Sequence, residues 1–327
     1  MRIAVTGSIA TDHLMTFPGR FADQLIPGQL AHVSLSFLVD DLEVRRGGVA
    51  ANIAYGLGRL GLSPLLVGAV GGDFGDYEVW LKGHGVDTGA VHVSGARQTA
   101  RFICLTDAEN NQIASFYAGA MSEAREIDLG TLPTEGGRPD LVLVCANDPE
   151  AMVRHTRQAR ELGIPFAADP SQQLARLTGE QATELVDGAA WLFTNEYEAA
   201  LLAERTCLTR AQLLATVGAW VTTLGERGVR IEREGHPEVL VPAVPCERVT
   251  DPTGAGDAFR AGFLAALARG LPLTPAARLG CAVASSALDT VGPQGYRTDR
   301  PRLLSRVRGG YGGAAAAQLA PLLGSGS

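Results

Sequence analysis

The segment Asp251-Pro252-Thr253-Gly254-Ala255-Gly256-Asp257-Ala258-Phe259 places a glycine turn, a helix start and a carboxylate side by side. Two glycines let backbone N–H groups come close to a ligand. The helix behind them leaves its first N–H groups unpaired and carries partial positive charge there. Gly254, Ala255 and Gly256 therefore form a candidate anion hole. Asp257 ends the turn and is a candidate base. An anion hole next to a base suits phosphoryl transfer to an alcohol: the dipoles stabilise the migrating charge, and the carboxylate takes the hydroxyl proton. A plain glycine-rich helix start with an aspartate favoured by the dipole has the same local sequence. The dipole also predicts an Asp257 ionised at neutral pH, a weak base that mainly aims the hydroxyl.

Four other constellations carry chemistry. Gly47-Gly48-Val49-Ala50-Ala51-Asn52 is a second glycine-opened helix, with the Asn52 amide one turn inside its mouth. Asp12 follows the first strand, where an acid commonly holds a pair of sugar hydroxyls, although a turn aspartate also fits. Asn195-Glu196-Tyr197-Glu198 begins a helix, and its i, i+3 spacing sets Asn195 beside Glu198. Glu198 is a candidate magnesium ligand through water, and the same four residues equally make a capping box. Thr222-Thr223-Leu224-Gly225-Glu226-Arg227-Gly228 is a strand end and a glycine turn, able to accept nucleotide phosphates or simply to turn a hairpin. Gly7-Ser8-Ile9 lacks the later glycines of a dinucleotide fingerprint, which disfavours a dehydrogenase.

Composition narrows the chemistry further. The chain has 327 residues, 46% hydrophobic and 19% charged, enough for a large core. A net charge of −7 argues against nucleic acid as partner. No run is long and apolar enough for a membrane span or signal peptide, so no membrane partner and a cytoplasmic location are expected. Cys104, Cys145, Cys207, Cys246 and Cys281 form no C-x-x-C pair, so neither a zinc ribbon nor a disulfide scaffold is supported. Lys82 is the only lysine and follows no glycine loop, which removes both a Walker-A loop and a protein-kinase lysine. Any phosphoryl transfer must then rely on backbone dipoles and a metal ion.

The elements that position these groups alternate in the second half. Apolar runs at 141–145, 165–169, 191–194 and 220–224 read as buried strands, and helical patterns lie near 149–162, 178–188, 196–205 and 209–218. That alternation predicts a parallel sheet covered on both faces, with ligands at the strands' carboxyl ends. In the first half, 13–17, 32–45, 89–105 and 112–117 read as strands without intervening helices and predict a separate small antiparallel sheet. Helices are expected over 49–60 and 77–83, with a fraying tail over 314–327.

The joint order of these motifs resembles the ribokinase-like carbohydrate kinases of the phosphofructokinase-B type, over roughly residues 3–311. Gly47–Asn52 and Asp251–Asp257 look like that family's two signatures, and Val70-Gly71-Gly72-Asp73-Phe74-Gly75 like a further family stretch; Pro252 stands where many members have threonine. The resemblance implies one α/β kinase domain over 1–327, a three-layer sandwich with a mostly parallel central sheet and a small β-sheet lid that often forms a homodimer interface. It implies ATP and Mg2+ as cofactors. It makes Asp257 the base, Gly254, Ala255 and Gly256 the anion hole, and Asn195 and Glu198 the organisers of magnesium and phosphate. Thr223, Gly225 and Gly228 fall to the nucleotide, and Asp12, Gly48 and Asn52 to the sugar hydroxyls. Asp251 and Thr253, with the loop after Leu288, lie where relatives bind a potassium-like ion (K+).

Within that family, the stretches 8–15, 34–39 and 169–174 look most like bacterial adenosine kinases, of the kind found in actinobacteria. That likeness adds Ser8, Ser36, Phe102, Phe116, Gln172 and Gln173 as substrate residues. Phenylalanines can stack on a purine and glutamines can read its edge. The implied reaction is ATP-dependent phosphorylation of the adenosine 5′-hydroxyl, giving AMP and serving purine salvage. A sugar kinase for ribose, fructose or a keto-sugar, a kinase for guanosine or inosine, and a non-catalytic nucleotide sensor are the rivals.

Overall fold

The structure, a computed structural model, describes residues 1–26, 28, 32, 34–132, 137–246, 248–321 and 323. Its strands in chain order are β1 (Ile3–Thr6), β2 (Ala10–Thr16), β3 (Asp41–Gly47), β4 (Leu65–Val70), β5 (Asp87–Val93), β6 (Ala100–Thr106), β7 (Gln112–Tyr117), β8 (Leu141–Cys145), β9 (Phe166–Asp169), β10 (Trp191–Asn195), β11 (Trp220–Thr223), β12 (Val229–Glu232) and β13 (Val239–Val241). Its α-helices are α1 (Phe21–Gln24), α2 (Val49–Arg59), α3 (Gly75–Gly83), α4 (Pro149–Glu161), α5 (Gly179–Val186), α6 (Glu196–Thr206), α7 (Arg210–Thr216), α8 (Ala255–Leu267), α9 (Leu273–Leu288) and α10 (Arg300–Leu319).

Among the described residues, nine strands form one sheet in the order β13-β12-β11-β10-β9-β8-β1-β4-β5, parallel except at β11-β12 and β12-β13. Successive strand residues point to opposite faces, and both faces are buried. Ile3, Val5, Leu141, Leu143 and Cys145 join the core under α2, α8 and α9, while Ala4, Val142 and Val144 join the core under α4, α5 and α6. Two helical layers thus sandwich the sheet. Their starts are capped as the sequence spells out: Asp148 before Pro149 at α4, Thr178 and Gln181 at α5, and Asn195 and Glu198 at α6.

The small sheet has the order β3-β2-β6-β7. Its outer pairs are antiparallel and its central pair, β2 with β6, is parallel. A parallel pair needs a crossover, and the chain makes it by passing through α2, β4, α3 and β5 of the main body. The predicted lid segment 89–105 is therefore divided. β5 is the edge strand of the main sheet, parallel to β4, and only β6 lies in the small sheet. β5 is half-exposed, which gives it the look of a lid strand in sequence. The predicted strand 32–45 is ordered as a strand only from Asp41; 34–40 is irregular, and residue 33 lies outside the described residues, as do 322 and 324–327 of the tail. The buried strand β4 was not anticipated.

The chain leaves β1 through Gly7-Ser8-Ile9 directly into β2, and leaves β3 through Gly47-Gly48 directly into α2. The small sheet consequently rises from the carboxyl ends of the main strands. At β1 a Cβ on Gly7 would lie 2.8 Å from the Cys145 Cβ and 2.9 Å from the Ala50 Cβ, so only glycine lets β8 and α2 approach there. β1 also lies where the strand order reverses, between β8 and β4, the crevice in which open α/β sheets bind ligands.

Candidate active site

Two glycine-opened helices meet above that crevice. Gly254 caps α8 with φ 77°, and Gly48 caps α2 with φ 94°, both in the region that favours glycine. A Cβ on Gly48 would sit 2.6 Å from the Ser8 carbonyl oxygen, and one on Gly254 would run into Pro293. Ser8 Oγ accepts from the Val49 N–H at 3.0 Å, which pins the mouth of α2 to the end of β1. The helices pack closely enough that Gly56 faces Ala261 with no room for a side chain. This packing brings Asn52 Nδ2 to 2.9 Å from Asp257 Oδ2, donating to it.

The orientation of the Asn52 amide is set from behind. Trp80 Nε1–H donates to Gln294 Oε1 at 3.0 Å, so the Gln294 NH2 faces the other way. That NH2 donates to Asn52 Oδ1 at 3.0 Å and to the Tyr77 hydroxyl, which itself donates to the Gly47 carbonyl at 2.9 Å. Asn52 is left with its NH2 toward Asp257. Gln294, Tyr77 and Trp80 were not anticipated as site residues, because they lie far away in sequence and carry no local motif.

Below Asp257 lies an ion pair that sequence reasoning also missed. Arg260, one turn along α8, donates from Nη2 to Asp169 Oδ1 at 2.6 Å, with Nε 2.6 Å from Oδ2. The two side chains are 7% and 0% exposed. Burial pushes the Asp169 carboxyl up, and the Arg260 guanidinium pulls it back. For Asp257 burial dominates as well and raises its pKa to about 7; Arg260 and the Asn52 hydrogen bond oppose the rise, and Asp169 and Glu198 add to it. The expectation of a low pKa from the helix dipole is corrected: partial burial at the floor of the crevice, with the Asp169 and Glu198 carboxylates nearby, outweighs the helix start. Asp257 is poised near neutrality, where a carboxylate serving as a base would be most effective.

Two cavities, of about 970 and 540 Å³, open on either side of Asp257, and Asp257, Gly254, Val49 and Gln172 line both. The larger is lined by Asn195, Glu198, Thr223, Gly225 and Gly228, with Ala255, Gly256 and Arg260 at its inner end. The smaller is lined by Ser8, Asp12, Gly48, Asn52, Phe102, Phe116, Gln172 and Gln173, together with Arg45 and Arg176. The predicted residues thus sort into two groups that share Asp257. Ser36 is the exception: it is exposed in the irregular stretch before β3 and lines neither cavity. Gln173 is buried, and its NH2 is committed to the Asn147 carbonyl at 2.6 Å, while Gln172 is exposed to both cavities. Phe102 and Phe116 stand opposite one another on β6 and β7. Burial raises the Asp12 pKa to about 6, with Arg45 opposing and Asp251 adding.

Asn195 and Glu198 form the reciprocal capping box: Asn195 N–H donates to Glu198 Oε2, and Glu198 N–H to Asn195 Oδ1, both at 2.8 Å. This leaves Glu198 Oε1 free toward the larger cavity. Among the described residues no group of three His, Cys, Asp or Glu side chains is placed to hold a metal. A carboxylate with one oxygen uncommitted, lining a cavity, fits Mg2+, which takes few protein ligands and keeps several waters.

Comparison with known proteins agrees with this geometry. The family model "pfkB family carbohydrate kinase" matches residues 7–299. A nucleoside kinase of Methanocaldococcus jannaschii is 31% identical over 76% of this chain and 80% of its own. A ribokinase of Bacillus subtilis is 30% identical over 76% of this chain and 83% of its own. The Burkholderia thailandensis nucleoside kinase, solved with inosine, is 33% identical and superposes with a TM-score of 0.82 over 95% of this chain and 98% of its own. The same protein solved with ADP-inosine gives a TM-score of 0.81 over 95% of this chain and 96% of its own. The chain belongs to the pfkB family of carbohydrate kinases, and its fold is ribokinase-like.

Proposed function

We propose that this pfkB-family kinase transfers the γ-phosphoryl group of ATP to the 5′-hydroxyl of a purine nucleoside, with adenosine as the acceptor, giving AMP and ADP. The observation that carries the reading is the meeting of two cavities at Asp257. A volume near 970 Å³ suits a nucleotide and one near 540 Å³ a nucleoside. The wall of Phe102 and Phe116 offers aromatic faces that a bare sugar does not need. Likeness to nucleoside kinases, one of them solved with inosine, supports the nucleoside class and makes a 6-oxopurine nucleoside the second reading.

In this reading Asp12, Gly48 and Asn52 hold the ribose hydroxyls and aim the 5′-oxygen at the larger cavity. Ser8 holds the mouth of α2, and Gln172 meets the base edge. Asp257 takes the hydroxyl proton as the new O–P bond forms and the bond to the β-phosphate breaks. Gly254 and Gly256 donate N–H groups to the migrating phosphoryl oxygens, while the Ala255 N–H closes the turn on the Pro252 carbonyl at 3.3 Å, and Arg260 adds positive charge below them. Glu198 would be the residue that holds Mg2+, which when bound would supply charge neutralisation at the donor phosphates. Thr223, Gly225 and Gly228 receive the nucleotide.

The small sheet acts as a lid that excludes water from the phosphoryl group. Its exposed Leu42, Val44 and Ile113 support a homodimer through this sheet. Among the described residues no helix is long and apolar enough to cross a membrane, and the reading places the enzyme in the cytoplasm, with its ATP.

The test is ADP release with ATP and magnesium across adenosine, inosine, guanosine, ribose, fructose and no acceptor. Adenosine-dependent turnover well above the others is expected. Preference for inosine selects the second reading, and preference for a free sugar overturns the nucleoside reading while leaving Asp257 in place.

A further inference from the structure

We infer that Arg45 of β3 supplies the positive charge at the Asp251 turn, so that this turn takes no monovalent cation. The inference rests on the kinase reading, and it departs from the potassium-like ion that the family resemblance implies. Three observations carry it.

The carboxylate that a cation would meet there is engaged at both oxygens. Asp251 Oδ1 accepts the Thr253 N–H at 2.9 Å, and Asp251 Oδ2 accepts both the Gly292 N–H and Arg45 Nη1–H at 3.0 Å. At the end of α9, just before the loop, the Leu288 carbonyl accepts the Thr250 N–H at 2.7 Å and the Asp251 N–H at 3.4 Å, which ties the turn to that helix. A cation would have to displace these donors, and it would meet a guanidinium that Asp251 shares with Glu43.

The guanidinium is aimed. Glu43, two residues earlier on the strand, takes Nε and Nη2 at 2.7 Å each, leaving Nη1 for Asp251. A planar fork held on one side presents its remaining N–H groups in a fixed direction, which a hydrated point charge does not. Asp251 is 14% and Arg45 23% exposed, so solvent screens the pair only in part.

The contact also spans two sheets. Arg45 lies on the small sheet, whereas Asp251 opens the turn that becomes the anion hole and ends at Asp257. The Arg45 stem is close enough to the loop that a Cβ on Gly292 would lie 3.3 Å from its Cδ. Arg45 also lines the smaller cavity and draws the Asp12 pKa down against burial. It is thus a positioning residue that joins the acceptor side, the lid and the anion-hole turn, and a free ion cannot couple these parts.

The test measures turnover and thermal unfolding at constant ionic strength, with tetramethylammonium chloride replaced stepwise by KCl. For the natural protein, turnover is expected to change less than about twofold and the unfolding midpoint not to shift. Arg45→Ala is expected to lose about tenfold in turnover without K+ and to regain much of it with K+, as a buried charge left without its partner would. Its unfolding midpoint is expected to rise with K+, because an ion that binds only the folded state stabilises it. Arg45→Gln serves as the second variant if Arg45→Ala does not fold.

Several-fold activation of the natural protein by K+ overturns the inference. So does a folded Arg45 variant whose turnover and midpoint both ignore K+. Absence of turnover with every acceptor refutes the kinase reading instead, and the midpoints then decide the cation question alone.

Discussion

The elevated pKa of Asp257 fixes the shape of a rate profile. Its carboxyl stands at about 7 rather than 3.8, because partial burial between α2 and α8 raises it and Asp169 and Glu198 add to the rise, against the opposing Arg260 and Asn52. A base must be ionised to accept a proton. With a pKa of about 7, roughly half of the molecules are competent at pH 7, about a tenth at pH 6 and about a hundredth at pH 5. The ligand-free enzyme's groups show in kcat/KM, and with magnesium in excess kcat/KM for the nucleoside is expected to fall at least about a hundredfold from pH 8 to pH 5. Asp12, raised to about 6, adds a second limb through KM, so the slope exceeds one below that pH. An Asp257 near 3.8 would stay more than about nine-tenths ionised at pH 5 and would add no limb. A flat kcat/KM between pH 5 and 8 in a protein that remains folded refutes the assignment of a raised pKa to Asp257. Asp257→Asn is expected to lose turnover by about two to four orders of magnitude and to show no such limb. Stability supplies an independent check. The unfolded chain releases this proton near 3.8 and the folded one holds it to about 7, so Asp257 costs folding stability increasingly as pH rises through that window. The gain in unfolding midpoint from Asp257→Asn should therefore be larger at pH 8 than at pH 4.5, and a gain independent of pH would contradict the shift.

Three further outcomes follow from the same geometry. KM for the nucleoside should rise as pH falls below about 6, where Asp12 takes up its proton and loses its acceptor role toward sugar hydroxyls, while KM for ATP stays level; parallel changes in both would remove Asp12 from the acceptor side. Phe116→Ala should raise KM for the nucleoside by roughly five- to tenfold, about one stacked ring's worth, with little change in unfolding midpoint, because the ring is 47% exposed; an equal rise for ATP would indicate a collapsed small sheet instead. Gln294→Met should strand the Trp80 N–H and the Asn52 carbonyl, costing about 1–3 kcal/mol in unfolding free energy. It should also lower kcat while sparing KM for ATP, and unchanged kcat would show that Asn52 keeps its orientation unaided.

What the sequence revealed and what it withheld divide along one physical line. The two glycine mouths, the Asn195–Glu198 box and the strands from β8 to β11 are legible because their causes are local: a positive φ, an orphan N–H group, a short apolar run. β5 was misplaced because a half-exposed edge strand of a large sheet and a strand of a small one present the same alternation, and only pairing with β4 separates them. The pKa of Asp257 was misjudged for the same reason. The helix dipole belongs to α8 and is written in its first residues, whereas the burial that overrides it is imposed by α2, 205 residues away through Asn52, and by Asp169, which reaches the site through Arg260. One clue was nonetheless present. Asp257 and Arg260 stand three apart on one helix, a spacing that sets side chains on the same face. An arginine one turn below a base, on a helix whose next residues Ala261-Gly262-Phe263-Leu264 are wholly apolar, has to be buried with the base. A buried arginine in turn demands a carboxylate, and Asp169 was one of several acids at the carboxyl ends of the strands, beside Asp148, Glu198 and Glu226. The acid–arginine–acid arrangement that tunes the site was therefore deducible from one helical turn, had the helix been read for what it buries as well as for where it begins.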